Sequence, residues 1–366
     1  MKTILLIDDT QEQLEGLAQA LRLILGADEA NIVTWLPTKD DPVEPGDTLA
    51  KYLAKDAADT VAFVVTDYDL TGKGSLGLYG STVVDQCQMV AVPVGNYSRG
   101  KKKRLPAEPS LFEIRVPADE SHEAAAKLIA SVFRGFEEIR AKVDQLNPMP
   151  RSPAAGIAAL LGRPNDQSQF SLYGTRYPAV NSGLIDRIDW TAPDDKKPTA
   201  DDVRKLFSYV AGHVLLNLVL RYPGPIVSLK ALAAYCAIHT DEADRIREIF
   251  KECRYDGPFK DCYELFWLDK VVAVIDAIDL EEVPTEATAG EVNRLALEKH
   301  FGVKLARPVC NRCDGLNGGF LCPFTERTVC IKPDCSTGSN GWIPAGARIS
   351  RIEKGFFDEW SPLLGM

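Results

Sequence analysis

Between residues 3 and 146, short apolar runs alternate with stretches whose apolar residues recur at helical spacing, and that alternation leaves few folds open. Residues 3–7 (TILLI) are almost continuously apolar, as a parallel strand covered on both faces would be. Thr10-Gln11-Glu12-Gln13 then reads as a capping box opening a helix with Leu14, Leu17, Leu21 and Ile24 on one face and Gly26 at its end. Residues 32–35, 61–66, 89–94 and 112–116 are further strand candidates, and 48–57 and 79–87 further helices. Residues 121–146 form a long amphipathic pattern with Leu128, Val132, Phe136, Ile139 and Val143 on one stripe. The expected fold is α/β: a doubly wound, parallel, five-stranded sheet of flavodoxin or receiver type.

Beyond residue 146 the pattern changes in kind. Residues 147–153 (NPMPRSP) hold three prolines and break the long helix, which makes them the best boundary. Helical signals dominate after it. Thr199 caps a helix through Leu206, Val210, Val214 and Leu218; Ser228 and Thr240 cap two shorter ones; residues 263–278 read as another. Residues 281–291, with Pro284 and Gly290, read as a second linker. The expected division is therefore 1–146 for the sheet, 154–280 for a mainly helical domain with a winged-helix-like segment, and 290–366 for a small Cys-rich module.

Brändén's rule places sites of open α/β sheets at the carboxyl ends of the strands. Strand one ends at Asp8-Asp9, strand three at Asp67, strand four in the loop reaching Ser98, and strand five at Arg115. Clustered carboxylates repel unless they share a cation, and an all-oxygen set suits Mg²⁺, which keeps several waters and tolerates phosphate oxygens. Such a site can transfer a phosphoryl group to a carboxylate.

These residues, in this order, resemble the receiver domain of two-component response regulators. The resemblance covers residues 1 to about 146 and rests on Asp8-Asp9, on Asp67 in the phrase DYDL, on Ser98 in PVGNYS and on Arg115. It implies that Asp8, Asp9 and Asp67 hold Mg²⁺, that Asp67 is the phospho-acceptor, and that Ser98 and Arg115 contact the phosphate. It also implies a bacterial-type, cytoplasmic phosphorelay protein partnered by a histidine kinase and an output protein. There are two departures. The family has lysine directly followed by proline, whereas the sequence here is Arg115-Val116-Pro117, so either arginine replaces the cation or the alignment shifts. The connection before strand five, RGKKKRLPAEPS, lacks the family's fourth helix, which leaves open a degenerate receiver used for docking.

The four-residue apolar run in MKTILLIDD is far short of a secretory h-region, so a cytosolic chain is expected, with its nine cysteines as thiols or metal ligands; five of them fall between 310 and 335. Cys310-x2-Cys313 and Cys330-x4-Cys335 have the spacing of a zinc ribbon or knuckle, a closed structural site. Cys322 is a fifth candidate that can replace Cys330 or Cys335, and an Fe–S cluster is the other occupant to weigh.

Weaker signals compete for the function. SLKALAAYCAIHTDEADRIREIF, residues 228–250, has a helix-turn-helix cadence, which makes a DNA-binding transcriptional regulator the principal alternative. Its second helix begins with Asp241, Glu242 and Asp244 against Arg245, Arg247 and Lys251, a balance better suited to protein contact. The net charge of -10 likewise argues against adhesion to nucleic acid or membrane through the overall field, although Arg99–Arg104 forms a local basic patch. His122, His213, His239 and His300 lack metal spacing, and His213 reads as a core residue. No phosphate loop, His-Glu-x-x-His or nucleophile elbow is present, so an enzyme would need an unrecognised site within residues 150–290.

Overall fold

The computed structural model describes residues 1–37, 45–54, 61–67, 70, 79–98, 114–117, 121–150, 152–174, 199–338 and 342–361. It divides into two compact units, Met1–Met149 with Gly183–His213, and Pro150–Ser182 with Val214–Met366.

The first unit runs β1 (Thr3–Ile7), α1 (Gln11–Glu29), β2 (Asn31–Trp35), α2 (Pro45–Ala54), β3 (Val61–Thr66), α3 (Gly80–Met89), β4 (Val94–Ser98), β5 (Ile114–Pro117) and α4 (His122–Asp144). The strands form one sheet in the order β2-β1-β3-β4-β5, every pair parallel, as the alternation implied. Side chains alternate across it. Leu5, Ile7, Val64 and Val94 join Leu49 and Leu53 of α2 and Val83, Val84 and Cys87 of α3 in one core. Ile4 and Leu6, equally buried, face the other way, and α1 packs along α4. All six residues of β3 are buried, which is why its sequence is apolar without alternation.

Several local expectations are corrected. Thr10 precedes α1, but no side-chain cap forms there; its N–H instead donates to Asp8 Oδ1 at 2.7 Å. Gly26 takes a left-handed φ of 69° inside α1 rather than ending it, and Leu25, not Ile24, is buried. The apolar run MVAVPV is not a strand. Val90 caps α3, Ala91 turns the chain at φ 53°, and β4 begins only at Val94. Asp69 and the Arg99–Arg104 loop lie outside the described residues.

The second unit contains α5 (Pro153–Leu160), α6 (Gln167–Gly174) and a π-helical turn (Leu215–Val219) that follows in the chain on α7 (Ala200–Val214), whose residues as far as His213 belong to the first unit. Thr199 and Asp202 cap α7 reciprocally, as expected from the sequence. Then come β6 (Ile226–Ser228), α8 (Leu229–Tyr235), α9 (Ala243–Ile249), β7 (Leu265–Trp267), α10 (Leu268–Asp276) and α11 (Ala289–Phe301). Ser228 caps α8 through the Ala231 N–H, while the cap expected from Thr240 is provided by His239, whose Nδ1 accepts from the Asp241 N–H. Residues 265–267 are strand rather than helix, because β7 pairs antiparallel with β6. The expected linker is shortened by α11, which starts with a Thr288–Glu291 capping box.

Two pairs of short strands and a last helix complete the chain: β8 (Phe320–Leu321) with β9 (Thr328–Val329), β10 (Ser336–Thr337) with β11 (Ile352–Glu353), and α12 (Lys354–Trp360). Leu321 and Ile349 share one core with Leu232, Phe250, Phe266, Val271 and Leu297, so the Cys-rich segment and the helical segment bury a common interior. Among the described residues no helix is long and apolar enough to cross a membrane.

Candidate metal centres

The Cys310, Cys313, Cys330 and Cys335 thiols all lie within 4.8 Å of one another. Cys313 Sγ and Cys330 Sγ are 3.9 Å apart, far beyond a disulfide bond. The edge of a tetrahedron with Zn–S bonds of about 2.3 Å is roughly 3.8 Å, so that separation is compatible with two ligands of one zinc site. Cys322, the substitute weighed from the sequence, is buried and stands outside the quartet; its N–H and C=O are taken up by the turn to Arg327 and Glu326.

The loops explain why these four converge. Asp314 turns at φ 53°, its N–H donates to the Cys310 carbonyl, and the Cys310 N–H donates to the Gly315 carbonyl, folding the first pair into a tight loop. In the second loop the Lys332 carbonyl accepts from the N–H groups of Cys335 and Ser336. Burial would push the Cys310 thiol up, but N–H groups of Arg312, Cys313 and Cys330 all donate to its sulfur and bring it down to about 7. Cys335 is pushed up to about 12 by desolvation and by sharing hydrogen bonds with neighbouring thiols. A dication removes that conflict, since it replaces protons shared among crowded sulfurs. A supporting ring lies outside the ligands. Arg351 Nε donates to Ser336 Oγ at 2.7 Å, and Ser336 Oγ donates to the Cys330 carbonyl at 2.6 Å. Asn311 Nδ2 donates to Glu353 Oε1 on β11, which ties the first loop to the second strand pair. The four cysteines can therefore hold a metal, and the set is compatible with Zn²⁺.

The carboxylates of Asp8, Asp9 and Asp67 form a second group, again within 4.8 Å of one another. Their meeting is a consequence of the strand order. The Asp67 N–H donates to the Ile7 carbonyl at 2.9 Å, which extends the β1–β3 pairing one residue beyond β3 and brings Asp67 beside Asp8. Asp8 is buried; Asp9 and Asp67 are half-buried.

Register decides what else reaches that edge. Ile7, Thr66, Asn96 and Arg115 make one row across four strands. The next row, that of Asp67, holds Tyr97 and Val116, both buried. Arg115 lies one row short of Asp67 and is exposed, and adjacent strand residues point to opposite faces. Ser98 ends β4 in the row after Tyr97; its side chain lies outside the described residues.

The arginines in and just beyond the helix-turn-helix-like segment are already engaged. Arg245 pairs with Glu242, Arg247 with Asp244 and Glu264, and Arg254 with Glu264. His213 is fully buried beside Phe136 and Tyr209, a core residue as its sequence context suggested.

Comparison with known proteins adds no family to this picture: no family profile and no curated protein matches the chain.

Proposed function

We propose that the chain is a response-regulator-like signalling protein. In this reading Asp8, Asp9 and Asp67 bind Mg²⁺, and the sheet passes a binding or phosphorylation state to a protein partner. The observation that carries it is the convergence of three carboxylates at the carboxyl ends of adjacent strands in a 2-1-3-4-5 parallel sheet. When bound, Mg²⁺ would neutralise charge on incoming phosphate oxygens, and Asp67 would be the nucleophile. Val116 in the row of Asp67, where the resembling family has lysine, supports a receiver whose switch is weakened and whose main use is docking. The test is incubation of the full chain with acetyl phosphate and Mg²⁺, followed by intact-mass measurement against Asp67→Asn. A phospho-adduct on wild type alone makes Asp67 an acceptor. An absent adduct, with Mg²⁺ binding retained, leaves a docking module. Loss of both refutes the reading.

The DNA-binding alternative has one observation in its favour. β6, α8, α9 and β7 succeed one another as in a winged helix, and Arg254 bridges to Phe266 like the base of a wing. Its charge speaks for a protein partner instead, since the arginines that would meet phosphate are held by Glu242, Asp244 and Glu264. A salt-dependent mobility shift of duplex DNA would favour the regulator.

A further inference from the structure

The second unit contains a cleft of about 400 Å³ that neither metal centre uses, a size within the usual range for small-molecule sites. Leu172 of α6, Leu268 and Val272 of α10, and Ile349 give it apolar walls. One stretch of wall is bare backbone for a packing reason. A Cβ at Gly346 would stand 2.4 Å from the ring of Tyr173, which is buried and donates its hydroxyl to the Tyr222 carbonyl at 3.0 Å.

Four charged side chains meet in this cleft. Arg163 is held in place: Nη1 donates to Asp269 at 2.6 Å and lies 3.4 Å from Asp166, and the guanidinium sits 3.7 Å from the centre of the Trp267 ring. Arg348 is the contrast. Its guanidinium makes no ion pair or hydrogen bond to side chains among the described residues, although it lines the same space. Two arginines balance two aspartates, and since Arg163 is taken up by Asp166 and Asp269, Arg348 is, among the described residues, the one cation left in the lining to meet a single negative charge. A dianion would sit uncompensated beside Asp166 and Asp269. A planar fork with free N–H groups is made for a carboxylate. Among the described residues the lining offers no serine, cysteine, histidine or lysine, and this supports binding over covalent or acid–base chemistry.

We propose that this cleft binds a small organic monocarboxylate, with its apolar body on Leu172, Leu268, Val272 and Ile349 and its carboxylate gripped by Arg348. The proposal is independent of the acidic site on the sheet.

Phenylacetate is a suitable probe, titrated into the zinc-loaded full chain by calorimetry and thermal shift, with phenyl phosphate and phenethylamine in parallel. Saturable binding of phenylacetate in the roughly millimolar range is expected, with weaker binding of the phosphate and none of the amine. Arg348→Ala, an exposed position, should weaken it about tenfold or more. Val272→Trp should fill the cleft and abolish binding, and Arg348→Ala guards against that variant failing to fold. No saturable binding, equal binding of the amine, or unchanged affinity in Arg348→Ala each overturns the proposal.

Discussion

Asp8, Asp9 and Asp67 stand at the edge of a sheet whose strands β1 and β3 are five and six residues long and buried throughout, whereas Cys310, Cys313, Cys330 and Cys335 stand on loops joined by strands of two residues. The first group is brought together by topology: β1 and β3 are neighbours, so their ends are too. The second has little regular structure to bring it together, and buried Cys310, Cys330 and Cys335 are themselves the core of their region. On the proposed reading, a metal at the sheet would enter a site that the strand order has already formed, whereas a metal at the cysteines would itself hold the fold of its loops together.

The largest expected effect comes from that difference. Removing metal with a chelator at neutral pH should unfold the segment around residues 310–336, at a cost on the order of 10 kcal/mol by comparison with structural zinc peptides. Leu321 and Ile349 belong to the core of the helical segment, so that core should loosen as well. Hydrogen exchange would record lost protection around Cys310 and Cys335 with the strands β1 and β3 unchanged. Protection that survives chelation in the cysteine loops would break the contrast.

Acid should produce the next largest effect. Burial holds His213 down from 6.5 to about 3, so the native state favours the neutral ring. Its contribution is complete above about pH 6.5, where the ring is neutral folded or unfolded, and is lost as pH falls from there towards 3. At pH 4.5 this amounts to roughly 3 kcal/mol against the first unit. His213→Phe should flatten that acid limb in urea titrations at pH 4.5 and 7.5. An unchanged limb would mean that carboxylates, not this ring, govern acid stability.

A smaller effect probes the packing under the acidic edge. Gly16 of α1 lies beneath His122 of α4, and a Cβ there would come within 2.6 Å of the ring. The ring is also fixed by Gln13 Oε1, 2.8 Å from its Nε2. Gly16→Ala gains helix propensity of up to about 1 kcal/mol but forces α1 and α4 apart, for a net loss of roughly 1–2 kcal/mol. Thermal melts of the full chain measure it, and zinc content should not change.

How far the sequence could be read divides along the same line. The sheet order and the acidic edge were legible because β3 is apolar over its whole length and ends abruptly at Asp67. The row occupied by Arg115 was not, because no local signal fixes where a four-residue strand such as β5 starts, and a shift of one residue exchanges Arg115 for Val116. MVAVPV misled for a related reason: apolar residues in a helix cap and turn look like a buried strand. Residues 263–278 read as one helix since their apolar residues continue through Trp267, and only pairing with β6 marks 265–267 as strand. Spacing isolated the two cysteine pairs, yet the exclusion of Cys322 needed the turn to Arg327. Arg163 and Arg348 lie 185 positions apart (348 less 163) and meet in one cleft, with no motif to announce them.

The smallest effect is the most specific. Three carboxylates within 4.8 Å repel when no cation is present, so Asp8→Asn should stabilise the metal-free first unit by about 0.5–1 kcal/mol. The same change removes a charged ligand from the buried position of the triad. In wild type, about 10 mM Mg²⁺ acting on a site of about 1 mM affinity should add about 1.4 kcal/mol. In Asp8→Asn that increment should vanish, so the two proteins exchange rank between chelator-free buffer without Mg²⁺ and the same buffer with Mg²⁺. Melting curves in both conditions read the crossover, and Asp8→Asn leaves the cysteine quartet untouched as an internal reference. A mutant that merely damages the sheet would be less stable in both conditions, and a triad that binds no cation would leave the mutant ahead in both.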